Sequence, residues 1–145
     1  MKPKLYLDID GVLLANEENL AVDASEFIRY ASENFEVYWL TTHCMEGDPA
    51  FAVHYVQRTT TEDLTPYLKK FKPTRWDTAK TEAIDFSKPF LWFDDDLFYE
   101  EKQDILRHGA LDNWIEVDLA KDEDQLAKFI NSFPLPISAT EQISK

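Results

Sequence analysis

Four short segments of this chain, residues 4–8, 35–40, 89–93 and 114–117, are rich in aromatic and β-branched residues, and stretches of helical pattern separate them. That alternation is the strongest constraint on the fold. Strands that follow one another with a helix between them join in parallel through right-handed crossovers, so the order predicts an α/β protein. The expected architecture is a three-layer α/β/α sandwich around a Rossmann-like, mainly parallel sheet. Between the first two strands, Asp23 and Glu26 have the spacing of a capping box, with Asp in the usual place of Ser or Thr. They introduce a helix whose apolar face carries Phe27, Ile28, Tyr30 and Ala31. Further helices are expected over residues 49–57, 62–70, 78–85, 97–108 and 123–133, and a short edge strand over 73–76.

A chain of 145 residues with 44% apolar and 14% aromatic side chains has enough material for one well-packed core, which argues for a single domain and against disorder. The domain is expected over residues 1–133, and residues 134–145, with two prolines and a polar end, read as a flexible tail. The one cysteine, Cys44, excludes an internal disulfide. No apolar stretch is long enough for a bilayer span or a signal peptide, so the expectation is a cytoplasmic protein with no membrane partner. The net charge of -13 repels polyanions and argues against non-specific duplex binding as the main task.

The ends of the strands carry the chemistry. Residues 5–11 read Leu-Tyr-Leu-Asp-Ile-Asp-Gly, an apolar strand that ends on two carboxylates, Asp8 and Asp10. Side chains two apart on a strand share a face, but these two reach one site in useful geometry only where the chain turns, and Gly11 permits the turn. Two anions so close require a cation or a shared proton. In an open α/β sheet the ligand crevice lies beyond the carboxyl ends of the strands. Thr41 and Thr42 follow the second strand there, and Asp94, Asp95 and Asp96 follow the third. Asp77 is placed to cap a helix whose third residue is Lys80, which brings an ammonium to the same edge. Carboxylates, a hydroxyl and a lysine together suit the handling of phosphate.

The ordered set Asp8-Ile9-Asp10-Gly11, Tyr38-Trp39-Leu40-Thr41, Lys80 and Leu91-Trp92-Phe93-Asp94-Asp95 resembles the four motifs of the haloacid dehalogenase superfamily of phosphatases, over roughly residues 4–118. The resemblance implies a Mg²⁺-dependent phosphatase that works through an aspartyl-phosphate. Asp8 would be the nucleophile and Asp10 the general acid and base. Mg²⁺ would be held by Asp8, Asp94 and the main-chain carbonyl of Asp10, with Asp95 holding waters or orienting a ligand. Thr41 would donate to a phosphoryl oxygen, with Thr42 as the other candidate, and Lys80 would pair with the nucleophile and the transferred group. Val12 departs from the family, which often carries Thr there. The segments 11–23 and 42–77 leave room only for a short flap and about two helices, so the resemblance is to a capless or minimally capped member. The expected partner is a phosphorylated substrate, the end of a macromolecule or nucleic acid included. Lys69, Lys70, Lys72, Arg75 and Lys80 form the basic cluster that would receive it. The alternative is a phosphate-binding or phosphoacceptor signalling module with little turnover.

Other readings of these residues are weaker. An EF-hand loop needs its glycine at the sixth position, whereas Gly11 is fourth from Asp8 and Val12 occupies a ligand position. Dehalogenases of the superfamily lack the acid/base that Asp10 supplies, and receiver domains distribute their acidic pair and phosphoacceptor in a different order. Asp96 itself reads as a helix N-cap, whereas a capping role for Thr41 and Thr42 and a surface position for Lys80 are the weaker alternatives to the site. His43 and Cys44 have no matching Cys or His cluster and read as loop packing, with His43 close enough in sequence to touch substrate, while Phe51, Tyr55, Trp76, Phe98 and Tyr99 read as core or rim aromatics.

Overall fold

The computed structural model describes residues 2–132. The expected tail and the last residue of the expected final helix lie outside the described residues. The main sheet has four strands: β1 (Lys4–Leu7), β4 (Glu36–Trp39), β5 (Phe90–Asp94) and β6 (Trp114–Glu116). Their order is β4-β1-β5-β6, and all three pairings are parallel. β2 (Leu14–Asn16) and β3 (Asn19–Leu20) form a separate antiparallel hairpin in the place of the expected flap.

Side-chain alternation sorts the sheet into two cores. Leu5, Leu7, Val37, Trp39, Leu91 and Phe93 belong to one buried cluster, and Tyr6, Phe90 and Trp92 to the other. α1 (Ala24–Asn34), α2 (Ala50–Gln57), α3 (Thr65–Leu68) and α5 (Gln125–Ser132) supply the first cluster through Phe27, Ile28, Val56, Leu68 and Leu126. α4 (Tyr99–Arg107) supplies the second through Ile105. All five residues of β5 are buried, as a strand with cores on both faces requires. Among the described residues, no helix is long and apolar enough to cross a membrane.

The departures from expectation have local causes. Asp23 precedes α1 in a left-handed conformation, φ 62°, and its side chain makes no cap hydrogen bond, so the expected capping box does not form. The edge strand at 73–76 reduces to isolated bridges, Tyr38 with Lys72 and Glu46 with Arg75, and Pro73 has no N–H to extend a ladder. The helix over 62–70 contracts to α3, because the Gln57 side chain holds the preceding turn. Its amide donates to the Glu62 carbonyl at 2.7 Å and its oxygen accepts the Leu64 N–H at 2.8 Å. The helix over 78–85 contracts to a 3₁₀ turn, Lys80–Ala83. Asp77 does not cap it. The Glu82 carboxylate instead accepts the N–H groups of Asp77, Thr78 and Ala79. Asp96 is not the cap of α4 either, since the helix begins at Tyr99 and the Asp96 carboxylate accepts the N–H of Leu97.

Candidate functional site

Register brings the first two acids together. Leu7 pairs with Trp39 on one side and with Phe93 on the other. The ladder continues one step further, with Asp8 N–H donating to the Phe93 carbonyl at 3.1 Å, which sets Asp8 beside Asp94 at the carboxyl edge. Both are buried. One carboxylate oxygen each from Asp8, Asp94 and Asp95 lies within 4.8 Å of the other two.

Lys80 completes this group. Its Nζ stands 3.3 Å from Asp8 Oδ2 and 2.6 Å from Asp94 Oδ2. The backbone that presents it is held by Glu101, a buried carboxylate. Glu101 accepts the Lys80 N–H at 3.0 Å through Oε2 and the Phe98 N–H at 3.2 Å through Oε1. One side chain therefore caps α4 and anchors the turn that carries the lysine. Gly11 lets Asp95 approach. Its φ is 78°, and a Cβ there would stand 2.2 Å from Asp95 Oδ2. The loop closes as the N–H groups of Val12, Leu13 and Leu14 converge on the Ile9 carbonyl, and none of the loop's backbone hydrogen bonds ends on the Asp10 carbonyl.

Three ionised carboxylates against one ammonium leave two negative charges in a largely buried space. Burial pushes the Asp8 carboxyl above its ordinary range, with the Lys80 charge opposing. Asp94 is pushed up to about 6 by burial and by the Asp8 charge, again against Lys80. Asp95 is pushed up to about 6 by desolvation and by its hydrogen bond with Asp94. Burial draws the Lys80 ammonium down, but Asp8 and Asp94 outweigh it and hold the group above its ordinary value. An all-carboxylate donor set with an excess charge of two fits a hard divalent cation such as Mg²⁺.

Asp10 stands apart from this group. Its side chain is 53% exposed, and its carboxylate is not one of the three that cluster. Oδ1 accepts the Tyr55 hydroxyl at 3.0 Å, and Oδ2 lies 2.9 Å from His43 Nε2. The His43 and Tyr55 rings stack with centroids 3.9 Å apart. Desolvation, followed by the hydrogen bond to Asp10, raises the Tyr55 phenol above its ordinary value, which keeps it a donor. Thr41 is wholly buried, and its hydroxyl accepts the His43 N–H at 3.2 Å, capping the turn Thr42–Cys44. Thr42 is exposed.

The structure thus gathers Asp8, Asp94, Asp95 and Lys80 and leaves the Asp10 carboxylate and Thr41 outside their contacts. The basic cluster disperses. Lys72 pairs with Glu36 at the opening of β4, the opposite end of the strand from Thr41. Lys70 lines a hollow there with Lys2 and Phe35, Lys69 borders a different hollow with Asp48 and His54, and Arg75 packs near Gly47. Only Lys80 reaches the carboxylates. Sequence reasoning missed Glu101, although a glutamate at the third helical position is a readable signal. It also missed His43 and Tyr55 as partners of Asp10, for which no local signal exists. Comparison of the chain with protein-family models, with curated proteins and with solved structures returns no match.

Proposed function

We propose that the protein is a Mg²⁺-dependent phosphomonoester hydrolase of haloacid dehalogenase type, a cytoplasmic enzyme on a three-layer α/β/α fold. The observation that carries this reading is the contact of Lys80 with Asp8 and Asp94, beside Asp95, at the carboxyl edge of a parallel sheet. A metal bound by Asp8, Asp94 and Asp95, with the Asp10 carbonyl free to join them, would neutralise the approach of a phosphate dianion to an anionic nucleophile.

An Asp8 oxygen forms a bond to phosphorus as the ester P–O bond breaks, and the Asp10 carboxyl gives its proton to the departing oxygen. The Asp10 carboxylate then takes a proton from water as that water attacks phosphorus, which frees Asp8 and inorganic phosphate. Lys80 pairs with the nucleophile and with the transferred group. Thr41, already an acceptor, retains its own proton for a phosphoryl oxygen. Thr42 is the other candidate for that donation. The substrate is a phosphorylated molecule, with the end of a macromolecule or nucleic acid among the forms that a site without a large cap would admit.

A second reading, a phosphoacceptor or phosphate-binding module with little turnover, draws on Asp10, whose carboxylate is engaged by two side chains and lies outside the acidic cluster. Hydrolysis of 4-nitrophenyl phosphate separates the two. The phosphatase reading requires multiple turnovers with Mg²⁺ that are lost with EDTA and in Asp8→Asn. Stoichiometric phosphorylation of Asp8 without turnover favours the second reading, and neither turnover nor phosphoprotein, with no binding of inorganic phosphate in a calorimetric titration, sinks both.

A further inference from the structure

Asp10 follows a four-residue strand and precedes a glycine with φ 78°, a position from which a half-exposed side chain would ordinarily sample several rotamers. Here it cannot. Each carboxylate oxygen has its own partner, Tyr55 for Oδ1 and His43 for Oδ2. The partners come from different elements, α2 and the turn after β4, and each is itself held. The His43 N–H is tied to the Thr41 hydroxyl. The Tyr55 ring packs against the His43 ring at 3.9 Å and carries the Arg58 guanidinium 4.3 Å from its centroid. A carboxyl oxygen has two lone pairs, so each retains one direction for a substrate or a proton.

We propose that His43 and Tyr55 are positioning residues that fix the orientation of the Asp10 carboxyl group, and that this makes the site competent for phosphate esters of alcohols. The inference rests on the phosphatase reading. An alkoxide is a poor leaving group and departs only as it receives the Asp10 proton, while the P–O bond to it breaks and the bond from Asp8 to phosphorus forms. A nitrophenolate leaves readily without that proton. Orientation of the acid therefore affects the two classes of ester unequally, whereas a purely structural contact affects them alike.

The test measures kcat/KM with Mg²⁺, which reports transfer to Asp8 and not the later hydrolysis common to both esters, for glycerol 2-phosphate and for 4-nitrophenyl phosphate in the wild type, Tyr55→Phe, His43→Phe and His43→Gln. Tyr55→Phe and His43→Phe keep a stacking ring and remove a hydrogen-bond partner. Each is expected to lower the alkyl rate about tenfold or more and the aryl rate about threefold or less, and His43→Gln, with an amide in reach of Asp10, to recover most of the alkyl rate. The ratio of the two rates is independent of the fraction of protein that is folded, so poor folding of a variant does not mimic the effect. Equal losses on both esters, or none on either, overturn the positioning role while the phosphatase reading stands. Absence of wild-type turnover on both esters overturns the phosphatase reading and the inference with it.

Discussion

At the scale of single residues, Asp94 has the clearest pH dependence. Its carboxyl titrates at about 6 in the native protein against 3.8 ordinarily, so between those values the native state holds more protons than the unfolded chain. The contribution of this group to stability is therefore fully present below about pH 4 and falls as pH rises through 6. The shift is worth on the order of 3 kcal/mol in the metal-free protein at neutral pH. In EDTA, the Tm advantage of wild type over Asp94→Asn is expected to shrink from pH 4.5 to 7, and a constant difference would contradict the assignment. Gly11 yields a second expectation, since Gly11→Ala places a methyl group 2.2 Å from Asp95 Oδ2 and forces an L residue to φ 78°. A loss of about 1–3 kcal/mol in denaturant unfolding should accompany weaker Mg²⁺ binding by titration calorimetry. Asp8, Asp94, Asp95 and Lys80 were legible as a converging set because each follows a strand or precedes one at a known edge. The partners of Asp10 were not, because His43 and Tyr55 stand 33 and 45 residues away and reach it only through folding.

At the scale of elements, α4 does two tasks through one buried face. Ile105 joins it to the buried cluster that holds Tyr6 and Trp92, and Glu101 joins its first turn to the backbone of Lys80. Ile105→Ala should cost about 2–5 kcal/mol, read from the shift of the urea midpoint at unchanged slope. Glu101→Gln is more specific. An amide offers one acceptor and one donor where the carboxylate accepts two N–H groups, so one buried N–H faces a donor. The expected cost is about 1–3 kcal/mol, with a fall in kcat because the Lys80 turn loses an anchor, and retention of both stability and kcat would exclude this role. The start of α1, from its apolar stripe, and both ends of α4 were legible within a few residues. The shortening of α3 and of the Lys80 segment was not, because Gln57 and Glu82 take backbone N–H and carbonyl groups that a helix would otherwise have used.

At the scale of the whole molecule, a cation bound only by the native site couples the acidic cluster to global stability. Tm should rise with Mg²⁺ concentration, more at pH 7 than at pH 5, and the rise should vanish in Asp94→Asn. A rise of equal size in that variant would assign it to screening of the net charge of -13 instead. The sequence by itself determined the α/β order, the parallel sheet and the edge at which the acidic residues and Lys80 meet. Those follow from the period of apolar residues and from the handedness of crossovers, which are properties of contiguous segments. Only the tertiary structure decided that the Asp10 carboxylate leaves the acidic cluster for His43 and Tyr55, that Glu101 carries the Lys80 turn, and that Lys70 and Lys72 lie at the opposite end of β4 from Thr41. A side chain's partners are chosen by distance in space and by competition among donors and acceptors, and neither is written in the spacing of residues along the chain.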